Sequence, residues 1–495
     1  MEYSIEKVNK PVIMKHGYIS IPDYDFNDCM VLQNYLSEFN EVTFTRDYYG
    51  LFYDEKKREL RVPVGVGMNT VVKMTGREAK FDFNTYDPRY CKIKLLYKPR
   101  NELQEKIITD IIEKNRKYSQ HCIIAGTGIG KTYCAIATSS FFQNATFVVT
   151  HSSKLRSYWV DRFEHFTSLE KDEIISIEGT KQLVKLMEND KYKKYSVFVT
   201  THQTLQSLAK SLGWDYVTDM FKIFGIGTTI IDEIHRQFSN TVKILTHTNT
   251  KKYLLMTATF KQSPRRRDKI FQSCFRSVPK FIQANVTEEK VQGHINGYLI
   301  RFNSRPSIPE QLKCEVRKLL HPAYYANYLI DKDPEFLNVF DFYVENCIMR
   351  NKTFKGKGLV FCGSIHACEE LSKHVATEFS YLNINVGLYH SKLGLTQKEK
   401  DELLNESDIV FTTSHSLSEG VDVKDLHYVI DVEAYRSDIL SEQIPGRLRD
   451  LDDGHRFVFI KISNIGFMRV RSQLENCIKN WNKNFGSFEI REWEK

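Results

Sequence analysis

Eight consecutive residues constrain this chain more than any others. Ala125-Gly126-Thr127-Gly128-Ile129-Gly130-Lys131-Thr132 follows the apolar run Cys122-Ile123-Ile124-Ala125 and leads into the helical run Tyr133-Cys134-Ala135-Ile136-Ala137. Strand, glycine-rich turn and helix in that order make a phosphate-binding loop: small residues let backbone N–H groups turn inward, and the helix N-terminus adds positive potential. Lys131 would meet the β- and γ-phosphates, and the Thr132 hydroxyl would hold Mg²⁺, so ATP with Mg²⁺ is the expected pair. Ala125 takes the place of the usual first glycine. A glycine turn that binds nothing is the alternative, and the strand-to-helix context argues against it.

Such a loop belongs to a parallel sheet covered by helices, and the surrounding texture agrees. From about 98 to 285, short apolar runs alternate with helical stretches: 122–125, 146–150, 197–200, 229–232 and 253–257. The alternation returns at 358–362, 385–389, 408–412 and 428–432, which predicts a second α/β sheet. Residues 1–97 differ, being rich in Tyr, Phe, Asp and Lys, with strand-like runs at Glu59–Val64 and Lys92–Leu96. The expected organisation is an accessory domain over 1–97, a nucleotide-binding domain over 98–285, and a connection plus second domain over 286–495.

The carboxylates that such a loop requires come about 100 residues later. Ile230-Ile231-Asp232-Glu233-Ile234-His235 closes a strand and sets Asp232 at the carboxyl edge of the sheet, where ligands of these folds bind. Asp232 would hold Mg²⁺, and Glu233 would orient or deprotonate the attacking water. An acidic pair after a strand can also start a turn or cap a helix; its pairing with the phosphate loop favours the chemical reading.

These residues resemble superfamily 2 nucleic-acid helicases, whose Asp-Glu motif often ends in His, here His235. The resemblance runs over about 98–465 and implies two RecA-like parallel-sheet domains that share a nucleotide cleft. It assigns Arg100 and Gln104 to adenine recognition, although two polar residues opening a helix would look the same. Gly126, Thr127, Gly128, Ile129, Gly130, Lys131 and Thr132 would cradle the nucleotide. Thr150-His151 and Thr201, Gln203 and Thr204 resemble strand-end motifs that hold a nucleic-acid backbone; ordinary helix caps have the same composition. Thr257-Ala258-Thr259 resembles the coupling motif, and Arg265-Arg266-Arg267 would face either phosphates or solvent.

In the second sheet the resemblance assigns Ser364, His390, Thr412 and Thr413 to nucleic acid, and Gly420 and Asp422 to the nucleotide. Gln443, Arg447 and Arg449 match a motif whose arginines reach ATP, a role that suits a permanently charged guanidinium with paired donors. Here the sequence departs from pattern. The usual spacing puts the second arginine at 450, which is Asp450, and Arg449 stands one residue early.

Within the superfamily, the His-bearing motif and small N-terminal region most resemble phage UvsW-type branch-remodelling DNA helicases, with repair helicases of the XPB kind as broader relatives. The resemblance implies an ATP hydrolase that acts as a monomeric motor on single-stranded and branched duplex DNA in replication, recombination and repair. An RNA-unwinding or transcript-release motor would carry the same motifs, and an ATP-gated clamp that separates no strands is a third reading.

Composition sets outer limits only. The 495 residues carry a net charge of +8, 41% hydrophobic and 27% charged, which fits packed cores and permits a polyanionic partner. No run approaches the roughly 18 to 20 apolar residues of a membrane span, and no apolar leader opens the chain, so a soluble protein of the cytoplasm, of a phage-infected host or other virus-replicating cell, is expected. The ten cysteines never form a C-x-x-C pair, which argues against a zinc site.

Overall fold

The structure is a computed structural model; it describes residues 10–40, 45–48, 50–125, 129–188, 190–262, 265–282, 292–316, 319–352, 356–417, 423, 425–434, 441, 444–448 and 457–493. The chain divides into two compact units, Met1–Val286 and Thr287–Lys495.

Unit 1 is built on seven strands that run, edge to edge, Ile174–Ser176, Val197–Thr201, Ala145–Thr150, Ile226–Ile231, Lys252–Thr257, Gln120–Ile124 and Lys280–Ile282. Every pairing is parallel. The central strands are buried on both faces, which is why they read as unbroken apolar and Thr runs and not as alternating ones. Parallel pairing places all strand ends at one edge, so the loops after 124, 150, 201, 231 and 257 meet there.

A smaller sheet precedes it, in the order Phe52–Asp54, Glu59–Pro63, Tyr18–Pro22, Val12–Met14, Ala79–Phe81. It has no core of its own: Val12, Ile19, Leu60 and Val62 belong to the same continuous apolar cluster as Ile123, Val148 and Leu254. Arg61 seals the seam, stacking over Tyr18 at 4.9 Å and donating to the Thr246 carbonyl at 3.3 Å. Gly65 lies so close to the helix Arg265–Cys274 that a Cβ there would sit 2.3 Å from the Cys274 carbonyl oxygen. Arg266, though exposed, donates to the carbonyls of Asn34 and Ser37 at the end of helix Phe26–Leu36.

The expected strand at Lys92–Leu96 is instead part of an extended arm with isolated bridges, Tyr90 to Asn144 and Leu95 to Thr167. Its groups are taken up by the large sheet's surroundings. Arg89 donates to Phe224 and Lys193 carbonyls at 3.3 and 3.1 Å, and to the Tyr195 carbonyl, so it satisfies acceptors left at a helix end. The Tyr86 hydroxyl donates to the Ile226 carbonyl at 2.7 Å. The arm thus carries the chain from the small sheet to Arg100 without a ladder of its own.

Unit 2 holds a second all-parallel sheet, in the order Val386–Tyr389, Ile409–Thr412, Lys357–Phe361, Leu426–Asp431, Phe457–Asn464, Gln292–Phe302, Phe485–Glu492. Helices including Pro334–Lys352, Ile365–Glu378 and Met468–Asn484 accompany it, and its core is a separate apolar cluster from Ile295 to Phe485. The fold is therefore α/β, two parallel-sheet domains with a small N-terminal sheet. Among the described residues no helix is long and apolar enough to cross a membrane.

Candidate functional site

The phosphate-loop motif falls partly outside the described residues: Gly126, Thr127 and Gly128 are not among them. Its second half is placed. Gly130 has φ +89° and precedes helix Lys131–Phe142, so Lys131 and Thr132 open that helix beside the end of strand Gln120–Ile124. Gly130 cannot be replaced cheaply, since a Cβ would stand 2.4 Å from Gln104 Nε2 as well as meeting an unfavourable φ. The closeness has a purpose in the local geometry. Asn101 caps helix Glu102–Lys114 through the Gln104 N–H at 3.0 Å, and Gln104 is buried. Its amide donates to the Ile129 carbonyl at 2.8 Å while its oxygen accepts from the Arg100 N–H at 2.9 Å. The upstream Arg100/Gln104 pair and the loop are thereby joined.

Lys131 Nζ donates to the Ala125 carbonyl at 2.8 Å and stands 4.0 Å from Glu233 Oε1. Asp232 and Glu233 leave strand Ile226–Ile231 at this same edge. Glu233 adopts φ +48°, a left-handed backbone uncommon for a residue with a side chain, of the kind that persists where surrounding contacts enforce it. Those contacts are visible: Ala258 N–H donates to Glu233 Oε2 at 3.2 Å, His235 Nδ1 lies 3.2 Å from the same oxygen, and Thr257 Oγ1 is 2.7 Å from His235 Nδ1. The Asp-Glu-x-His and Thr-Ala-Thr segments therefore form one hydrogen-bonded cluster.

The electrostatics separate the two acids. Burial, with the Glu233 charge next in weight, pushes Asp232 up to about 6. Burial also acts upward on Glu233, yet the His235 hydrogen bond, Lys131 and the Ala258 N–H together hold it below the ordinary carboxylate range. Two adjacent buried carboxylates with Lys131 beside them keep excess negative charge, which a divalent cation would offset. Among the described residues no group of three or more His, Cys, Asp or Glu forms a metal cage. Mg²⁺ keeps several waters and takes one or two protein ligands with phosphate oxygens, and Asp232 and Thr132 are the residues that could hold it.

A second site lies on the same unit. A pocket of about 390 Å³ is lined by His151, Ser152, Ser153 and Arg156, by Glu178, Gly179 and Thr180, and by Thr201, Gln203, Thr204 and Ser207. Three helices begin there: Ser153–Phe166, Thr180–Glu188 and His202–Leu212. Their N-termini bring unsatisfied N–H groups and positive dipole ends to one place, the arrangement that favours an anion. Ser152 Oγ and Arg156 Nε are buried and have no hydrogen-bond partner among the described residues. Thr201 is committed to capping, accepting from the Thr204 N–H at 3.2 Å, and Thr150 is buried with its hydroxyl donating to the Ser152 carbonyl at 2.9 Å. Of the residues assigned here, His151, Thr201, Gln203 and Thr204 line the pocket and Thr150 supports it.

In unit 2 the assigned residues gather at the corresponding sheet edge. Ser364 caps helix Ile365–Glu378 through the Ala367 N–H at 3.0 Å, and His390 Nε2 lies 3.3 Å from Glu369 Oε1. Thr412 is buried at its strand end. Thr413 Oγ1 and Ser416 Oγ are 2.8 Å apart, and Ser416 Oγ accepts from the Ser391 N–H at 3.1 Å, which joins the His390 and Thr412 loops. Arg447 is half-buried at the end of a short turn, Pro445–Arg447, that the His294 ring holds through the Leu448 carbonyl at 2.8 Å. Gly420, Asp422, Gln443 and Arg449 lie outside the described residues.

Four residues of these sites leave no mark in the sequence pattern. Arg156 and the Gly179-Thr180 pair line the pocket, and Trp159 donates its indole N–H to Asp232 Oδ2 at 3.1 Å. The short strand Ile174–Ser176 that delivers Gly179 gives too little pattern to detect, and the Trp159 contact spans 73 residues.

Similarity to known proteins falls along the same division. The family profile of the type III restriction enzyme res subunit matches residues 97–262, and that of the helicase conserved C-terminal domain matches 340–449. No curated protein matches the chain in sequence. Among solved structures, the ATP-dependent type ISP restriction-modification enzyme LlaBIII bound to DNA superposes with a TM-score of 0.53 at 13% identity, over 80% of this chain and 31% of that one. The DEAD-box helicase Mss116 bound to ssRNA and UDP-BeF gives 0.53 at 15% identity, over 80% and 75%. T4 UvsW covers 98% of this chain and 99% of its own at 13% identity, but its TM-score of 0.37 is too low to bear weight. With the two profiles falling in order on the two parallel-sheet units, the chain belongs to the superfamily 2 helicases, ATP-driven nucleic-acid motors.

Proposed function

We propose that this helicase is a DNA motor that uses ATP hydrolysis to unwind or remodel branched DNA. The observation that carries the motor reading is the placement, on one sheet edge of unit 1, of the Gln104–Lys131–Asp232–Glu233 cluster and of a pocket fed by three helix N-termini with the unpartnered Ser152 Oγ and Arg156 Nε. Lys131 would bind the β- and γ-phosphates, Thr132 and Asp232 would hold Mg²⁺, and Glu233, kept ionised by His235 and Lys131, would take the proton of the attacking water. Bound Mg²⁺ supplies charge neutralisation on the phosphates. Gln104 would set the position of the adenine end through the loop it grips. Gly126, Thr127 and Gly128 would complete the phosphate cradle, and Arg447, with Gln443 and Arg449, would complete the charge around ATP. His151, Gln203 and Thr204 would take one stretch of nucleic-acid backbone, with Ser364, His390, Thr412 and Thr413 serving the second unit.

DNA is favoured because the profile on unit 1 is that of a restriction-enzyme subunit. RNA is the second reading, supported by the equal superposition on an RNA-bound DEAD-box helicase. Branch preference rests on the sequence resemblance and on the small N-terminal sheet, whose exposed Phe81 and Phe83 beside Lys80 offer stacking and charge. Because that sheet shares its core with the large one, substitution of Phe81 and Phe83 is the suitable test of a targeting role, and deletion of 1–97 is not.

The deciding experiment is ATP turnover without nucleic acid and then with single-stranded DNA, duplex DNA, a four-way junction and RNA, at one stated salt concentration. Greatest stimulation by the junction supports branch remodelling. Preference for RNA transfers the proposal to an RNA motor, and stimulation without ATP-dependent strand displacement transfers it to a clamp.

A further inference from the structure

Helix Ser153–Phe166 serves two parts of unit 1 at once. Its first turns give Ser153 and Arg156 to the anion pocket. Three residues beyond Arg156, Trp159 is wholly buried against the sheet, and its indole N–H donates to Asp232 Oδ2 at 3.1 Å. The Asp232 backbone N–H donates to the Val149 carbonyl at 3.0 Å, and among the described residues the indole is the donor that meets the carboxylate. An indole N–H is a donor only and never competes as an acceptor, which suits it to orient an ionised ligand oxygen. Packing alone does not call for this residue, since Phe163 on the same helix is also wholly buried and carries no polar atom.

We propose that Trp159 is a positioning residue that ties occupation of the nucleic-acid pocket to the orientation of the Asp232 carboxylate. Nucleic acid seated against Ser153 and Arg156 fixes the first turns of the helix. The same rigid helix then fixes the indole N–H, and with it the oxygen that Asp232 presents to Mg²⁺; outer hydrogen bonds of this kind orient metal ligands and tune their affinity. The inference rests on the proposed roles of Asp232 as the magnesium carboxylate and of the pocket as a nucleic-acid contact.

Trp159→Phe removes the donor and keeps an aromatic ring in place. In ATP turnover with saturating single-stranded DNA, kcat is expected to fall about tenfold or more, the loss that a hydrogen bond to a charged group predicts. KM for ATP should stay within about twofold, since the substrate's own contacts are untouched. The Mg²⁺ concentration for half-maximal rate should rise, while DNA affinity measured by anisotropy stays level. Site-specific 3-benzothienylalanine at 159, which replaces the N–H by sulfur at nearly constant volume, should reproduce these changes, and it serves where the Phe variant does not fold. Full DNA stimulation with an unchanged Mg²⁺ midpoint, in either variant, overturns the proposal. A wild-type chain that no nucleic acid stimulates defeats instead the underlying motor function, a result distinct from equal stimulation of wild type and variant.

Discussion

The two sheets of this helicase each end a central strand in a pair of acids, and they treat the pair in opposite ways. In unit 1, Asp232 and Glu233 follow strand Ile226–Ile231, and Lys131, at the start of helix Lys131–Phe142, stands 4.0 Å from Glu233 Oε1. In unit 2, Asp431 ends strand Leu426–Asp431 with Glu433 two residues on, and the lysine comes from the neighbouring strand. Lys461, 2% exposed, meets Asp431, 0% exposed, at 3.2 Å and also donates to the Glu433 carbonyl. Glu433 Oε1 then accepts from the Ser414 N–H at 2.8 Å. One pair keeps its charge directed at an open edge; the other is neutralised inside the sheet.

Function thus enters a repeated architecture through the source of the counter-charge. A parallel sheet gathers strand-end residues whatever they are, and it decides nothing about their chemistry. An acid pair becomes a candidate site when its counter-charge comes from the first residue of the helix behind the glycine-rich motif and its backbone is held in a left-handed conformation, as at Glu233. It becomes a structural clamp when the counter-charge arrives in strand register, as at Lys461.

Damage to the clamp should have the greatest consequence for folding. Lys461→Met leaves Asp431 buried without its cation and should lower unit 2 stability by about 3–5 kcal/mol in chemical denaturation. In unit 1 the matching change, Lys131→Ala, should instead reduce kcat about 10²–10³-fold with little change in the unfolding midpoint, because Lys131 is asked to act on phosphate charge and not on the fold.

Solution pH separates the two acid pairs further. Burial, reinforced by Asp431, pushes Glu433 up to about 8, whereas a glutamate in the unfolded chain titrates near 4.5. Between those values folding takes up a proton, so this contribution to stability is fully present below about pH 4.5 and is lost as pH rises to about 8. Glu433→Gln should flatten that part of the thermal-midpoint profile and melt higher than wild type at pH 8; parallel profiles would contradict the assignment. The mildest change is expected at Gln104→Ala, which loosens the Ile129 carbonyl and should raise KM for ATP by about three- to tenfold, one hydrogen bond's worth, at nearly constant kcat.

Sequence legibility followed the same physics. Strands buried on both faces, such as Ala145–Thr150 and Ile409–Thr412, announced themselves as continuous apolar runs. Gln292–Phe302 did not, because His294, Asn296 and Gly297 interrupt it; Gly297 is required where Phe485 packs, as a Cβ would stand 2.4 Å from that ring. Phe457–Asn464 carries Lys461, a charge made tolerable by Asp431 of the neighbouring strand and by the Glu433 carbonyl. At the site, Lys131, Asp232, Glu233 and His235 were legible because local spacing encodes them. Trp159 and Arg156 were not, since their roles arise only when helix Ser153–Phe166 is laid against strands from other parts of the chain.

The contrast between the two acid pairs is decided by a side-by-side measurement of DNA-stimulated ATP turnover in Glu233→Gln and Glu433→Gln at neutral pH. A fall of about 10²–10⁴-fold is expected for the first, the span attributed to general-base catalysis, and turnover within about twofold of wild type for the second. Near wild-type turnover in Glu233→Gln, or a comparable loss in Glu433→Gln, would contradict the assignment of one pair to chemistry and the other to the fold.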